Sequence, residues 1–271
     1  MTTATSRSER DDCEQNQMDV VSAEALDPTA VAAAKEKELT SISKFGVYDE
    51  MPESEWTGEV ISSRWVLVEK ASGLVKARLV VQQVNHGDAC DNFAATPTPA
   101  SLRLLLNLDI PKGFIASFGD VSTAFLHASL DEPVAIRPPV DIRKKGIIWR
   151  LKKALYGLRR SPQLWQEHWA IVMETCGFVR CLSDPQVFVH PGTGAKILVH
   201  VDDVVLVARP EHMDALKNAI SKQVMMKWLG DLQLDSWTRF LGKEWRQTAS
   251  GCEVRIPPAY VETLLCEIGL D

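Results

Sequence analysis

Asp202 and Asp203 stand side by side in AKILVHVDDVVLVA, between two runs of β-branched and aliphatic residues. Runs of that composition predict two strands, and the polar pair between them predicts the tip of a hairpin. Adjacent carboxylates at the end of an apolar sheet repel each other and lose solvation, which raises one pKa unless a cation compensates. Aspartate also suits tight turns by bonding its own backbone, and an isolated pair would carry no further meaning. A third acid changes the balance, because Asp120 ends another apolar strand, IASFGDV. Three carboxylates converging from two strands form a hard-oxygen set of the kind that holds Mg2+ while phosphates and water complete the shell. Two such ions, about 3.5–4 Å apart, can activate a hydroxyl and stabilise a phosphoryl-transfer transition state.

A net charge of −6 argues at first against a phosphate-binding partner. The average conceals an asymmetry. Residues 1–60 hold 5 basic against 14 acidic side chains, a net of −9, so residues 61–271 carry 25 against 22, or +3. From Arg137 to Arg160 there are nine basic residues and a single acid, Asp141. That run reads as a phosphate footprint or as a solvated charged face. With 45% hydrophobic and 24% charged residues and no apolar run near the ~20 residues of a membrane span, the 271-residue chain is expected to be soluble, with no membrane partner. The N-terminal MTTATSRSERDDCEQNQ lacks the features of secretory or organellar targeting, so the expected location is cytoplasmic or nuclear. The six cysteines show no C-x-x-C or zinc spacing and are expected to be reduced, mostly core thiols.

Along the chain, residues 1–28 read as a disordered acidic leader. A short helix is expected from Pro28 to about Phe45, then two strands, RWVLVEK and LVKARLVVQQV, joined as a hairpin. LRLLLNLDI reads as a helix with Pro99 near its first turn, and a second helix starts at Ser161–Pro162, with Ser161 as N-cap and a stripe from Leu164 to Cys176. After the Asp202–Asp203 hairpin, EHMDALKNAISKQVMMKW reads as one more helix through Val224. Such a mixture of antiparallel hairpins and helices predicts an α+β fold.

Several segments together resemble copia-type retrotransposon reverse transcriptases. HVDDVVLVA resembles their Y-V-D-D box, GDVSTAFLHASLDEPVAIRPP their D-V-x-T-A-F-L motif, and ALYGLRRSPQLW their S-L-Y-G-L-K-Q-[AS]-P-R-x-W motif. KARLVV and KWLGDLQLDSWTRFLGKEW match further family segments in the same order, so the resemblance covers roughly residues 30–271. It implies an α+β right-hand polymerase fold: fingers and palm over residues 29–228, with the fingers hairpin around 60–98, then a truncated, helical thumb or connection over 229–271. It also implies RNA-directed DNA polymerase activity by two-metal transfer to a primer 3′-hydroxyl. Asp120, Asp202 and Asp203 would be catalytic, with Asp120, Val121, Asp202 and Asp203 binding Mg2+ or Mn2+. Lys76 and Arg78 would hold the triphosphate of the incoming deoxynucleotide. Phe125 would stand against its sugar, and Tyr156 and Gly157 would line its pocket; Phe125 and Tyr156 read equally as core residues. Arg159, Arg160, Lys152 and Lys153 would touch an RNA or DNA template with its primer. Trp228, Trp237 and Trp245 read as primer-stacking or, better, as packing residues.

The sequence departs from the family at three places. His200 stands where Tyr or Phe is usual, Gln163 replaces an Arg, and Gln82–Gln83–Val84 stands where A-K-G-F is common. Without RNase H, protease or integrase signatures, the chain reads as one part of an integrating element's machinery. A catalytically inactive relic that at most binds nucleic acid is the alternative reading.

Overall fold

The computed structural model describes residues 26–70, 72–84, 93–234 and 236–270. The expected leader lies almost wholly outside the described residues, as do Cys13 and Cys90. The chain divides into two units, one of residues 1–94 and 123–168, the other of 95–122 and 169–271.

In the first unit, helix α1 (Pro28–Lys44) starts where expected: the Asp27 carboxylate accepts the Thr29 and Ala30 N–H groups at 3.2 Å, and Pro28 occupies the first turn. Strands β1 (Tyr48–Pro52), β2 (Val60–Glu69) and β3 (Val75–Val81) follow. The hairpin β2–β3 is not isolated. Strands β5 (Ser129–Arg137) and β6 (Ile147–Lys153) join it in a five-stranded sheet of order β1-β6-β5-β2-β3, in which β2 and β5 run parallel and the other pairs antiparallel. Ile42 of α1, Leu79 and Val81 of β3, Leu126, Ile136 and Trp149 form its core. β3 is an edge strand, and its open side is covered. Leu79 donates its N–H to Glu38 Oε1 of α1 at 3.4 Å, and Val81 donates to the Tyr156 carbonyl at 2.8 Å.

In the second unit, helix α2 (Pro99–Asp109) is capped by Thr98, whose hydroxyl accepts from Ser101 N–H at 3.0 Å. The buried Asp184 braces that start, accepting from Thr98 N–H at 3.3 Å and from the Ser101 hydroxyl at 2.5 Å. Strand β4 (Ile115–Val121) is the predicted IASFGDV. The one-turn helix α3 (Ala124–His127) belongs to the first unit, and α4 (Ser161–Thr175) has residues assigned to both. Ser161 begins α4, and its hydroxyl donates to the Leu155 carbonyl at 2.6 Å. Strands β7 (Val179–Arg180), β8 (Val187–Val189), β9 (Lys196–His200) and β10 (Asp203–Ala208) lead to helix α5 (Pro210–Ser221). Together with β11 (Met226–Asp231) they build a six-stranded antiparallel sheet of order β11-β4-β10-β9-β8-β7.

β11 corrects an expectation. The helix predicted to run through Val224 toward Trp228 stops at Ser221, and MKWLGD pairs with β4 instead. Gly119 leaves room for it: a Cβ there would come within 2.8 Å of Met226 Cε and 2.9 Å of the Trp228 ring, so a larger residue would displace those two side chains. The segment beyond residue 229, expected to be helical, begins as a three-stranded sheet, β12 (Thr238–Phe240), β13 (Lys243–Thr248) and β14 (Gly251–Arg255), before helix α6 (Pro258–Glu267). Alternation explains it, since Phe240 and Trp245 point into the core beneath α2 while Arg246 pairs with Glu253 and Arg255 with Glu244 on the opposite face. The cysteines also differ from expectation. Cys176, Cys181 and Cys252 are free and only half-buried, Cys252 against the core beneath α2, and Cys266 is exposed.

Candidate active site

The site grows from the register of the six-stranded sheet. Ala116 and Phe118 of β4, Val205 and Val207 of β10, and Leu198 of β9 alternate onto one face and share a core cluster. Counting on by two along each strand leads to Asp120, Asp203 and His200. These three are aligned: Asp203 is directly opposite Asp120 on one side and His200 on the other. Lys227 of β11 is opposite Asp120 and completes the row. A face that is hydrocarbon for most of its length therefore ends in a polar row of imidazole, two carboxylates and an ammonium.

Asp202 occupies the two-residue turn between β9 and β10, and its carbonyl accepts the Val121 N–H at 2.7 Å, tying the turn to the end of β4. Its neighbour Val201 has φ 60°, a left-handed conformation that β-branched residues avoid at a cost of about 1–2 kcal/mol. Asp120, Asp202 and Asp203 are each half-buried. Burial raises the Asp203 carboxyl from 3.8 to about 7, and the charges of Asp202 and Asp120 push in the same direction. Among the described residues no three His, Cys, Asp or Glu side chains are already gathered as a metal cage. The three acids are instead neighbours that repel, and a divalent cation relieves that repulsion with oxygen donors of the type Mg2+ and Mn2+ prefer. The donor set fits the ion. Val121 itself is buried, and its backbone N–H is committed to the turn.

The first unit gathers most of the residues expected to meet a nucleotide. Lys76 and Arg78 lie on the same face of β3, Lys76 exposed and Arg78 half-buried. The Arg78 guanidinium sits 5.0 Å over the Tyr156 ring, and Phe125 meets Tyr156 edge-on at 5.0 Å. Neither aromatic is fully buried. Gly157 must be glycine for the fold itself: with φ 87°, any Cβ would lie 2.0 Å from the Val81 carbonyl oxygen of β3.

The basic run looks different once folded. Lys152 pairs with Asp49 at 2.7 Å, Lys144 with Glu50, Arg137 with Glu53, and Arg160 with Asp131 at 2.7 Å. Lys153 donates to the His127 carbonyl and Ser129 hydroxyl, and the Arg159 N–H to Gln83 Oε1. Three of those acids come from the acidic first 60 residues, so the acidity is not confined to a detached leader. Trp245 is buried and donates to the Phe240 carbonyl, whereas Trp228 bonds Ser221 and Trp237 stacks with Arg246 and Arg255. His168 is a packed residue, its imidazole held below the usual range by burial and by Lys153. Sequence reasoning did not find Lys227, which enters the row only once β11 is a strand.

Residues 51–271 match the family model described as reverse transcriptase (RNA-dependent DNA polymerase). The chain belongs to that family. Relatives place it with the copia-type transposons. It is 31% identical over 217 residues to the retrovirus-related Pol polyprotein from transposon TNT 1-94 of Nicotiana tabacum, covering 74% of this chain and 16% of that protein. It is 29% identical over 208 residues to the corresponding polyprotein from transposon RE2 of Arabidopsis thaliana, covering 71% and 14%. With the Ty1-DR4 Gag-Pol polyprotein of Saccharomyces cerevisiae it shares 30% over 170 residues, 61% of this chain and 10% of that one. This reverse transcriptase domain thus spans less than a fifth of the polyproteins it matches here. Its strands and helices form an α+β architecture, as expected. Among the described residues no helix is long and apolar enough to cross a membrane.

Proposed function

We propose that this domain catalyses RNA-directed DNA synthesis, adding deoxynucleotides to a primer 3′-hydroxyl at Asp120, Asp202 and Asp203. The observation that carries the reading is the alignment of Asp120 and Asp203 across adjacent strands, with Asp202 in the turn beside them. In this reading the three carboxylates would hold Mg2+, or Mn2+ in its place, which would supply acidification of the primer hydroxyl and charge neutralisation at the triphosphate. The chain's own residues fix the geometry. The β4–β10 ladder sets the spacing of Asp120 and Asp203, and the Val121–Asp202 backbone bond holds the turn.

Arg78 and Lys76 are the groups proposed to grip the triphosphate, with Arg78 oriented by Tyr156, and Phe125 is proposed to stand against the sugar. Lys152, Lys153, Arg159 and Arg160 are proposed contacts for an RNA or DNA template and its primer. Exposed ion pairs such as Arg160–Asp131 are worth only about 0–1 kcal/mol, so exchange of Asp131 for a phosphate is cheap. Residues 29–228 are assigned to fingers and palm and 229–271 to a partial thumb, and the cytoplasm or nucleus is the proposed location.

The test is incorporation of labelled deoxynucleotide on an RNA template with a DNA primer in Mg2+. Wild type should extend the primer, and Asp202→Asn should not. Retained extension in the variant would refute the assignment of the site. A folded wild type that binds primer–template and never extends it would favour an inactive relic.

A further inference from the structure

We infer that His200 is a nitrogen donor at the carboxylate site and gives it a preference for divalent transition-metal ions over Mg2+. The inference rests on the carboxylate reading above and adds a ligand that no family motif supplies, because the family carries Tyr or Phe at this position.

The argument starts from the sheet. His200 and Asp203 close the β9–β10 ladder and directly oppose each other. Opposed residues on neighbouring antiparallel strands point to the same face, with Cβ atoms about 4.5–5.5 Å apart. Metal–nitrogen and metal–oxygen bonds of about 2.0–2.2 Å, on side chains of this reach, let one ion bridge such a pair. The row's order matters as well. Asp203 lies between Asp120 and His200, so the imidazole enters at the end of the row away from Lys227, whose ammonium faces Asp120. A cation drawn to Asp203 meets a nitrogen donor on that side. His200 is half-buried at the rim of the sheet, and the strained Val201 turn fixes the strand end that carries it.

Chemistry then decides which ion benefits. Mg2+ takes oxygen ligands and gains little from imidazole; Mn2+, also chiefly an oxygen-binding ion, admits a nitrogen ligand beside its oxygens, and the later first-row ions favour one. A neutral imidazole also adds a donor without adding to the negative charge already crowded around Asp203.

The experiment uses the full chain loaded with Mn2+ and read by pulsed electron paramagnetic resonance, with histidine at natural abundance or labelled with 15N. Nitrogen modulation on the bound Mn2+ should be present, should change on labelling, and should vanish in His200→Phe, which circular dichroism should show to be folded. His200→Phe should still bind Mn2+, more weakly than wild type, with Mg2+ affinity unchanged. Mn2+ that binds wild type without histidine nitrogen modulation, or modulation that survives in His200→Phe, overturns the inference and leaves the carboxylate site standing. Mn2+ that binds an Asp202→Asn, Asp203→Asn double variant as tightly as wild type overturns the carboxylate reading and this inference with it.

Discussion

Replacing Asp203 by Asn should make the metal-free protein more stable while abolishing synthesis. In the fold the Asp203 carboxyl titrates near 7, against 3.8 ordinarily, because burial and the charges of Asp202 and Asp120 disfavour its ionised form. A raised carboxyl pKa destabilises the fold: the penalty is absent below about pH 3.8, grows as pH rises, and is complete above about pH 7. A gap of roughly three units at 1.36 kcal/mol each sets a ceiling of about 4 kcal/mol. Solvent reaches the half-buried group and screens the repulsion, which reduces this to about 1–3 kcal/mol. Asparagine keeps the shape and removes the charge. In a domain of this size that gain corresponds to a rise in Tm of about 2–10 °C. The assay is thermal unfolding in EDTA at pH 8 and pH 4. The variant should gain at pH 8 and lose most of that advantage at pH 4, where wild-type Asp203 is protonated. Adding Mn2+ should stabilise wild type more than the variant. An equal gain at both pH values, or none at pH 8, would refute the view that like charges strain this site.

Gly157→Ala should cost about 2–5 kcal/mol in urea denaturation, since it forces both a positive φ and an overlap with the Val81 carbonyl; a change under about 1 kcal/mol would show that β3 can move away. Val201→Gly should raise stability by about 1 kcal/mol by releasing the left-handed strain, and should lower the rate of primer extension as the turn carrying Asp202 loosens; an unchanged Tm would argue against strain. The buried Asp109 carboxylate has its Oδ2 2.7 Å from Lys196 Nζ, off the line of a good hydrogen bond and best treated as a charge pair. Lys196→Met should therefore destabilise by about 3–5 kcal/mol, and adding Asp109→Leu should recover most of the loss, a double-mutant cycle that would fail if the pair were inert.

Where local pattern and tertiary environment agree, the elements could be read directly. Asp27–Pro28 marks a helix start, Thr98–Pro99 another, and IASFGDV is a strand to the residue. The carboxylate row was legible for the same reason, because each acid ends an apolar strand. What could not be read depends on partners distant in sequence. Apolar spacing at Met213, Leu216 and Ile220 continues into Val224 and Met226, and the latter part of that run becomes a strand by pairing with β4, where Gly119 leaves room for Met226 and Trp228. Likewise the basic run from Arg137 to Arg160 contains one acid in sequence, yet Asp49, Glu50 and Glu53 reach it from about 90 residues away. Charge counted along a chain is not charge displayed on a surface. Lys227 was hidden by the same missed strand.

The way α1 closes the side of β3 sets a lower limit on the piece of this protein that can be handled in a test tube. The family match begins at residue 51, after that helix has ended. A fragment cut to the match would lose Glu38 and bare the Leu79 amide on an alternately apolar strand, a template for other chains to add to. Such a fragment should precipitate with Asp120, Asp202 and Asp203 all present, and adding back residues 26–50 should restore it to solution.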